Sequence, residues 1–229
     1  MALIEQSLVE TAHKLSAQVP APYSNPQIRD QSRRRDIIVI YGPAGCGKSS
    51  LAQVIADEFG FTYIEGDEVR LLCSFRSCCE LTDGQHHPEE NIAKMAASIP
   101  LGDADRWDWL IRLREVAVQA LELDDNSGVV LTCSALKRKY RDVIRIASLE
   151  SPGIRLHFMY LEVELFRLKM RLLERKGHYM SYRMMESQLR DLERVDERET
   201  DIISIDVNGP RDESRRSIIA AVKFIQSSV

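Results

Sequence analysis

"DIIVIYGPAGCGKSSLAQVIADEFG", residues 36–60, decides how the rest of this chain is read. It has three parts. Residues 37–41 are a short apolar, β-branched run without alternation, which predicts a strand buried on both faces. Leu51, Val54, Ile55 and Phe59 recur at helical spacing, and Gly60 follows as a C-cap. Between them Gly42, Gly47, Lys48 and Ser49 fit the pattern G-x-x-x-x-G-K-[ST]. Glycines there let successive backbone N–H groups curl around phosphate oxygens, and the helix N-terminus adds partial positive charge. The lysine ammonium reaches the β- and γ-phosphates, and the serine hydroxyl can ligate Mg²⁺. Gly42, Pro43, Ala44, Gly45, Cys46, Gly47, Lys48, Ser49 and Ser50 are therefore candidate ATP-binding residues, with Lys48 also catalytic and Ser49 the metal ligand. Cys46, inside the loop, reads as a small residue, although a helix N-terminus can lower a thiol pKa.

Outward from this stretch the pattern alternates. "FTYIEGD", "GVVLTCS", "IRLHFMYLE" and "DIISIDV" read as four further strands. "HPEENIAKMAASI", "DADRWDWLIRLREVAVQALELD", "KRKYRDVIRIAS", "ELFRLKMRLLERKG", "MMESQLRDLERV" and "ESRRSIIAAVKFIQ" read as helices. Strand alternating with helix predicts an α/β fold: a five-stranded parallel sheet with helices on both faces. Residues 1–35 stand apart. Three prolines, polar residues and the run Arg33, Arg34, Arg35 make them an N-terminal extension, read as a mobile arm, before a single domain at 36–229.

Bulk properties exclude several classes. The 229 residues are 44% hydrophobic and 29% charged, with a net charge of −4, so no basic excess points to nucleic acid. No apolar run approaches the ~20 residues of a membrane helix. Glu5 and Glu10 in the first residues argue against a secretory signal. Five cysteines at unpatterned spacings read as free thiols in a reducing compartment, and the expectation is a cytoplasmic protein.

Four blocks, "GPAGCGKSSLAQVIADEFGFTYIEGD", "HPEENIAKMAASIPLGDADRWDWL", "TCSALKRKYRDVIR" and "RLLERKGHYMSYRMMESQLRDLE", resemble in order and spacing the motifs of the small P-loop gluconokinases. The resemblance covers roughly residues 36–225. It implies a P-loop NTPase fold of the nucleoside monophosphate kinase type with a mobile lid, here about residues 171–183. It also implies phosphorylation of D-gluconate at its 6-hydroxyl by ATP with Mg²⁺. Family members are often dimers, so a homodimer is an expectation too. Asp67, at the end of the second strand, would hold the acceptor hydroxyl and take its proton. His87, Arg106, Lys137 and Arg141 would bind the carboxylate polyol, Lys137 also serving catalysis. Arg171 and Arg175, spaced i, i+4, would present lid cations to the nucleotide, Arg175 in a catalytic role. Trp107 and Trp109 read as packing residues rather than a sugar platform. The third strand ends without a clear Walker B aspartate, which leaves the wider Mg²⁺ shell unassigned. Two readings compete with the leading one: a nucleotide-binding protein with little transfer activity, and another small kinase of the same fold, such as a shikimate-type kinase.

The largest departure from the family lies at residues 69–85, "VRLLCSFRSCCELTDGQ". Without it, "GDE" would run directly into "HHPEENIAKM" at family spacing. The segment is 17 residues, equivalent to 51 nucleotides, a multiple of three. A first codon beginning GT and a last codon CAG are both permitted by Val69 and Gln85, so the segment reads as a retained intron. A genuine surface loop is the rival, since loops tolerate insertion. Cys73, Cys78 and Cys79 with His86 and His87 have zinc-ligand chemistry, but adjacent cysteines chelate one ion poorly and no C-x-x-C pair is present.

Overall fold

The computed structural model describes residues 35–66, 91, 93–94, 99, 101–123, 128–151, 153–174 and 182–228. The N-terminal extension, residues 69–85, Asp67, His87 and Arg175 lie outside these residues.

Strand β1 (Arg35–Tyr41) leads through the glycine-rich loop into helix α1 (Lys48–Phe59), which ends where the Gly60 N–H bonds to Ala56 O. There follow β2 (Thr62–Glu65), a 3₁₀ turn (Ala104–Arg106), α2 (Trp107–Leu123), β3 (Gly128–Cys133) and α3 (Arg138–Glu150). The chain continues through β4 (Ile154–Glu162), α4 (Leu165–Glu174), α5 (Tyr182–Asp191), β5 (Ile202–Asp206) and α6 (Arg211–Ser227). All five strands are parallel, in the order β2-β3-β1-β4-β5.

β1 is central, and its side chains explain the two layers. Ile37, Val39 and Tyr41 face one way and join Val129, Leu131 and Phe158 beneath α2 and α3. Ile38 and Ile40 face the other way and join Val130, Met159 and Leu161 beneath α1 and α6, with Leu168 of α4 and Met185 of α5. A strand covered on both sides has no polar face, which is why residues 37–41 read as a continuous apolar run.

Two helix boundaries differ from expectation. "MMESQLRDLERV" was expected to be helical to Val195, but α5 ends at Asp191. "DADRWDWL" was expected to be helical from Asp103, but the chain there makes a 3₁₀ turn before α2 begins at Trp107. The Asp103 carboxylate does not cap the turn; it is bound by Lys137, Lys139 and Tyr140 instead. No described helix is long and apolar enough to cross a membrane.

Candidate active site

The glycine-rich loop runs from the end of β1 to the start of α1. Gly45 and Gly47 adopt φ of 87° and 110°, a region where side chains are strained. Gly45 is also pressed against α4: a Cβ there would lie 3.1 Å from Leu172 and 3.3 Å from Leu168. Lys48, the first residue of α1, is buried and donates to Gly42 O at 3.2 Å and Pro43 O at 3.3 Å. Arg171 of α4 donates to Cys46 O at 3.0 Å and to Val207 O, so the last turns of α4 are tied to the loop and to the end of β5. Beside the loop is a cleft of about 510 Å³, lined by Gly47, Ser50, Val54, Arg171, Val207 and Arg215 among others.

The next strand ends carry the second half of the site. Gly66 follows β2, and a Cβ there would sit 2.0 Å from Thr132 O. Its N–H bonds Thr132 Oγ1 at 3.1 Å, and its carbonyl accepts from Trp109 Nε1 at 3.0 Å. The residue before Asp67 is thus pinned at the carboxyl edge of the sheet, where α/β folds bind ligands. Glu65 accepts from the Tyr63 phenol and the Thr132 hydroxyl. Burial, and then the Glu65 carboxylate, push the Tyr63 pKa up, and Ser49 lies against the same phenol. The Tyr63 phenol thus links the Glu65 carboxylate to the helix-start serine.

Across β3, the turn Ser134–Arg138 brings two cations together. Arg106 is buried; it donates weakly to Ser134 Oγ at 3.3 Å and Leu101 O at 3.4 Å, and its Nε has no partner. Lys137 lies 3.1 Å from both Asp103 and Asp191. Burial alone would lower its pKa, but these two carboxylates drive it up, so Lys137 is fully protonated. Hydrogen bonds from Lys139, Tyr140 and Lys137 hold Asp103 well below the usual carboxylate range. Arg106 and Lys137 both sit over the Tyr140 ring, at 5.5 and 5.7 Å from its centroid.

The chain as a whole is similar to known proteins. Residues 38–98 match the model of the ATPase family associated with various cellular activities (AAA). A probable gluconokinase of Schizosaccharomyces pombe is 39% identical over 186 residues, 81% of this chain and 87% of the relative. The chain belongs to the gluconokinase family. The thermoresistant gluconokinase of Escherichia coli is 32% identical, covering 82% of this chain and 93% of the relative. The crystal structure of a gluconokinase from Sinorhizobium meliloti 1021 aligns with a TM-score of 0.63 at 34% identity, covering 86% of this chain and 99% of that one.

Within this gluconokinase-family chain, one sequence expectation needs correction. Arg141 does not face the site. It is fully buried; Nε and Nη2 bond Glu199 at 2.8 and 2.6 Å, and Nη1 donates to Ala135 O and Leu136 O. Ala135 has a φ of 28°, uncommon for a residue with a Cβ, and Arg141 holds that strained turn closed. Its contribution to the site is therefore indirect, through the turn that presents Ser134 and Lys137. Cys46 is buried as well, and burial pushes its thiol pKa up rather than down. Trp109, 1% exposed and bonded to Gly66 O, is the packing residue expected.

Four polar residues of the candidate site carry no motif signal: Glu65, Asp103, Asp191 and Gln188, whose Oε1 accepts from the Ala44 N–H of the loop at 2.7 Å. Glu65 was the most legible, since it precedes Asp67 by two on the same strand end. Gln188 and Asp191 are spaced i, i+3 and so share a helix face, but spacing alone does not say what that face meets.

Proposed function

We propose that this enzyme transfers the γ-phosphoryl group of ATP to the 6-hydroxyl of D-gluconate, forming 6-phospho-D-gluconate and ADP in the cytoplasm. The observation that carries the reading is the placement of Lys48 and the Arg106–Lys137 pair on one sheet edge of a gluconokinase-family chain. The substrate oxygen forms the new bond to the γ-phosphorus, the bridging bond to the β-phosphate breaks, and the hydroxyl proton passes to Asp67. The transition state is loose, so the protein chiefly positions groups and neutralises charge. Lys48 and the loop N–H groups hold the triphosphate, and the nucleoside occupies the cleft beside Arg171. Arg106, with its unpartnered Nε, and Lys137 receive the sugar-acid carboxylate, assisted by His87. Mg²⁺ fits the donor set: Ser49 would ligate it, Glu65 would hold its bound water, and the ion would neutralise charge between the β- and γ-phosphates.

A coupled ADP-release assay across a panel of sugar acids, with shikimate included, tests this reading. Gluconate should give the highest kcat/KM, and Lys48→Ala should lower turnover by about 100-fold or more with the fold intact. ADP release with shikimate instead would favour the shikimate-type reading. ATP binding without release for any acceptor would leave a nucleotide-binding protein.

A further inference from the structure

We propose that Gln188 of α5 is a positioning residue for phosphoryl transfer: it fixes the Pro43–Ala44 peptide and, through it, the Lys48 head group. The inference rests on the phosphoryl-transfer reading above, but not on gluconate being the acceptor. Its basis is one peptide unit held from both ends. The Pro43 carbonyl accepts from Lys48 Nζ at 3.3 Å, and the Ala44 N–H of the same peptide donates to Gln188 Oε1 at 2.7 Å. Because a peptide is planar, the two bonds set a single orientation. Each also polarises the other, since the ammonium draws electron density toward the carbonyl and so strengthens the N–H as a donor. Rotating that peptide would turn the carbonyl away from Lys48 and leave a buried N–H unpaired at Ala44, which is itself buried.

Gln188 is held in place on its own helix. Met185, three residues earlier, is fully buried against the α1–α6 side of the sheet. Asp191, three residues later, lies 3.1 Å from Lys137 in the acceptor-side cluster. One face of α5 thus touches the donor loop at Ala44 and the acceptor cations at Lys137. The Lys48 ammonium acts on the β- and γ-phosphates. A peptide that sets its position therefore matters most when a γ-phosphate is present.

Gln188→Met keeps the length and apolar stem but removes the acceptor. In this variant kcat should fall by about 10- to 100-fold, the scale of a slightly misplaced positioning group. Affinity for a non-hydrolysable ATP analogue should fall about tenfold and ADP affinity clearly less, because Lys48 meets both the β- and γ-phosphates in the first and only the β-phosphate in the second. Asp191→Asn controls for movement of α5: it touches Lys137 rather than the loop, so the ratio of analogue to ADP affinity should stay at the wild-type value. Should Gln188→Met fail to fold, Gln188→Asn, whose amide falls short of Ala44, takes its place with the same expected split. The proposal is overturned if kcat stays within about twofold of wild type, or if ADP and the analogue weaken alike. It is also overturned if Asp191→Asn moves the affinity ratio as far as Gln188→Met does. A wild-type enzyme inactive on gluconate would sink the acceptor assignment alone, since both binding measurements dispense with an acceptor.

Discussion

Arg141 and Glu199 illustrate how a single residue's role depends on what its helix faces. Both side chains are almost completely enclosed, at 0% and 2% exposure, and Arg145 adds a third bond to Glu199 at 2.7 Å. The Arg141 guanidinium also lies over the Tyr41 ring, 5.2 Å from its centroid, just ahead of the phosphate loop. Replacing a buried ion pair by apolar groups can be neutral, but removing one partner strands a charge. Arg141→Met should therefore cost on the order of 3 kcal/mol in chemical denaturation, the lower end of the usual range because Arg145 remains. It should also lower kcat/KM for gluconate, because the Ala135 turn loses its brace. The pH dependence follows from Glu199. Burial alone would raise its pKa, but bonds from Arg141 and Arg145 bring it down to about 2 from 4.5. A depressed carboxylate stabilises the fold fully above its unfolded pKa, and that stability is lost as pH falls through the folded value. The difference in melting temperature between wild type and Glu199→Gln should be constant above pH 4.5 and shrink toward pH 2. A difference that grows on acidification would contradict the pairing. In the sequence, "KRKYRDVIR" offers five cations within nine residues and no indication of which one is buried. Lys48 and Ser49 were legible because a fixed spacing encodes their chemistry; Arg141 was not, because its partner is 58 residues away.

At the scale of elements, the alternation of strands and helices was readable across the described residues, because each buried strand is a short apolar run and each helix carries an amphipathic stripe; the helix expected at 87–99 falls mostly outside them. What alternation could not supply was the attachment of α4 and α5 to the loop. α4 packs Leu168 and Leu172 against Gly45 and bonds Cys46 O through Arg171. α5 reaches Ala44 through Gln188. The proposed lid cation Arg175 lies between these two anchored helices in the chain. A cation delivered to the developing charge acts mainly on the transition state. Arg175→Ala should therefore lower kcat by about 10- to 100-fold and change the KM for ATP much less. Steady-state kinetics at saturating gluconate decides the matter, and a raised KM for ATP with unchanged kcat would remove Arg175 from the catalytic step.

For the whole molecule, the question posed by residues 69–85 is geometric. The chain before the segment is fixed at Gly66 by Thr132 and Trp109. The chain after it is fixed at Asn91, a buried residue whose Nδ2 donates to Asp105 O at 2.7 Å. Loop-closure entropy grows only logarithmically, so 17 extra residues between two anchors cost little stability. In the proposed roles, however, Asp67 and His87 need close placement, and a displacement near 1 Å can cost about 100-fold in rate. Deleting residues 69–85 should therefore raise kcat and gluconate affinity and leave ATP affinity unchanged. Parallel cDNA sequencing settles the segment's origin. A less active or unfolded deletion variant, with all 51 nucleotides in the message, would establish a genuine loop. Such comparisons have a built-in optical probe. The chain holds two tryptophans, and both open α2: Trp109 bonded to Gly66 O, and Trp107 packed edge-on against Tyr140 beneath Lys139. Among the described residues, no tryptophan lines the cleft proposed for the nucleoside. With the acceptor and nucleotide bound as proposed, intrinsic emission excited at the red edge of protein absorbance should respond to the sugar acid far more than to the nucleotide, so acceptor occupancy can be titrated without a label in the presence of saturating nucleotide.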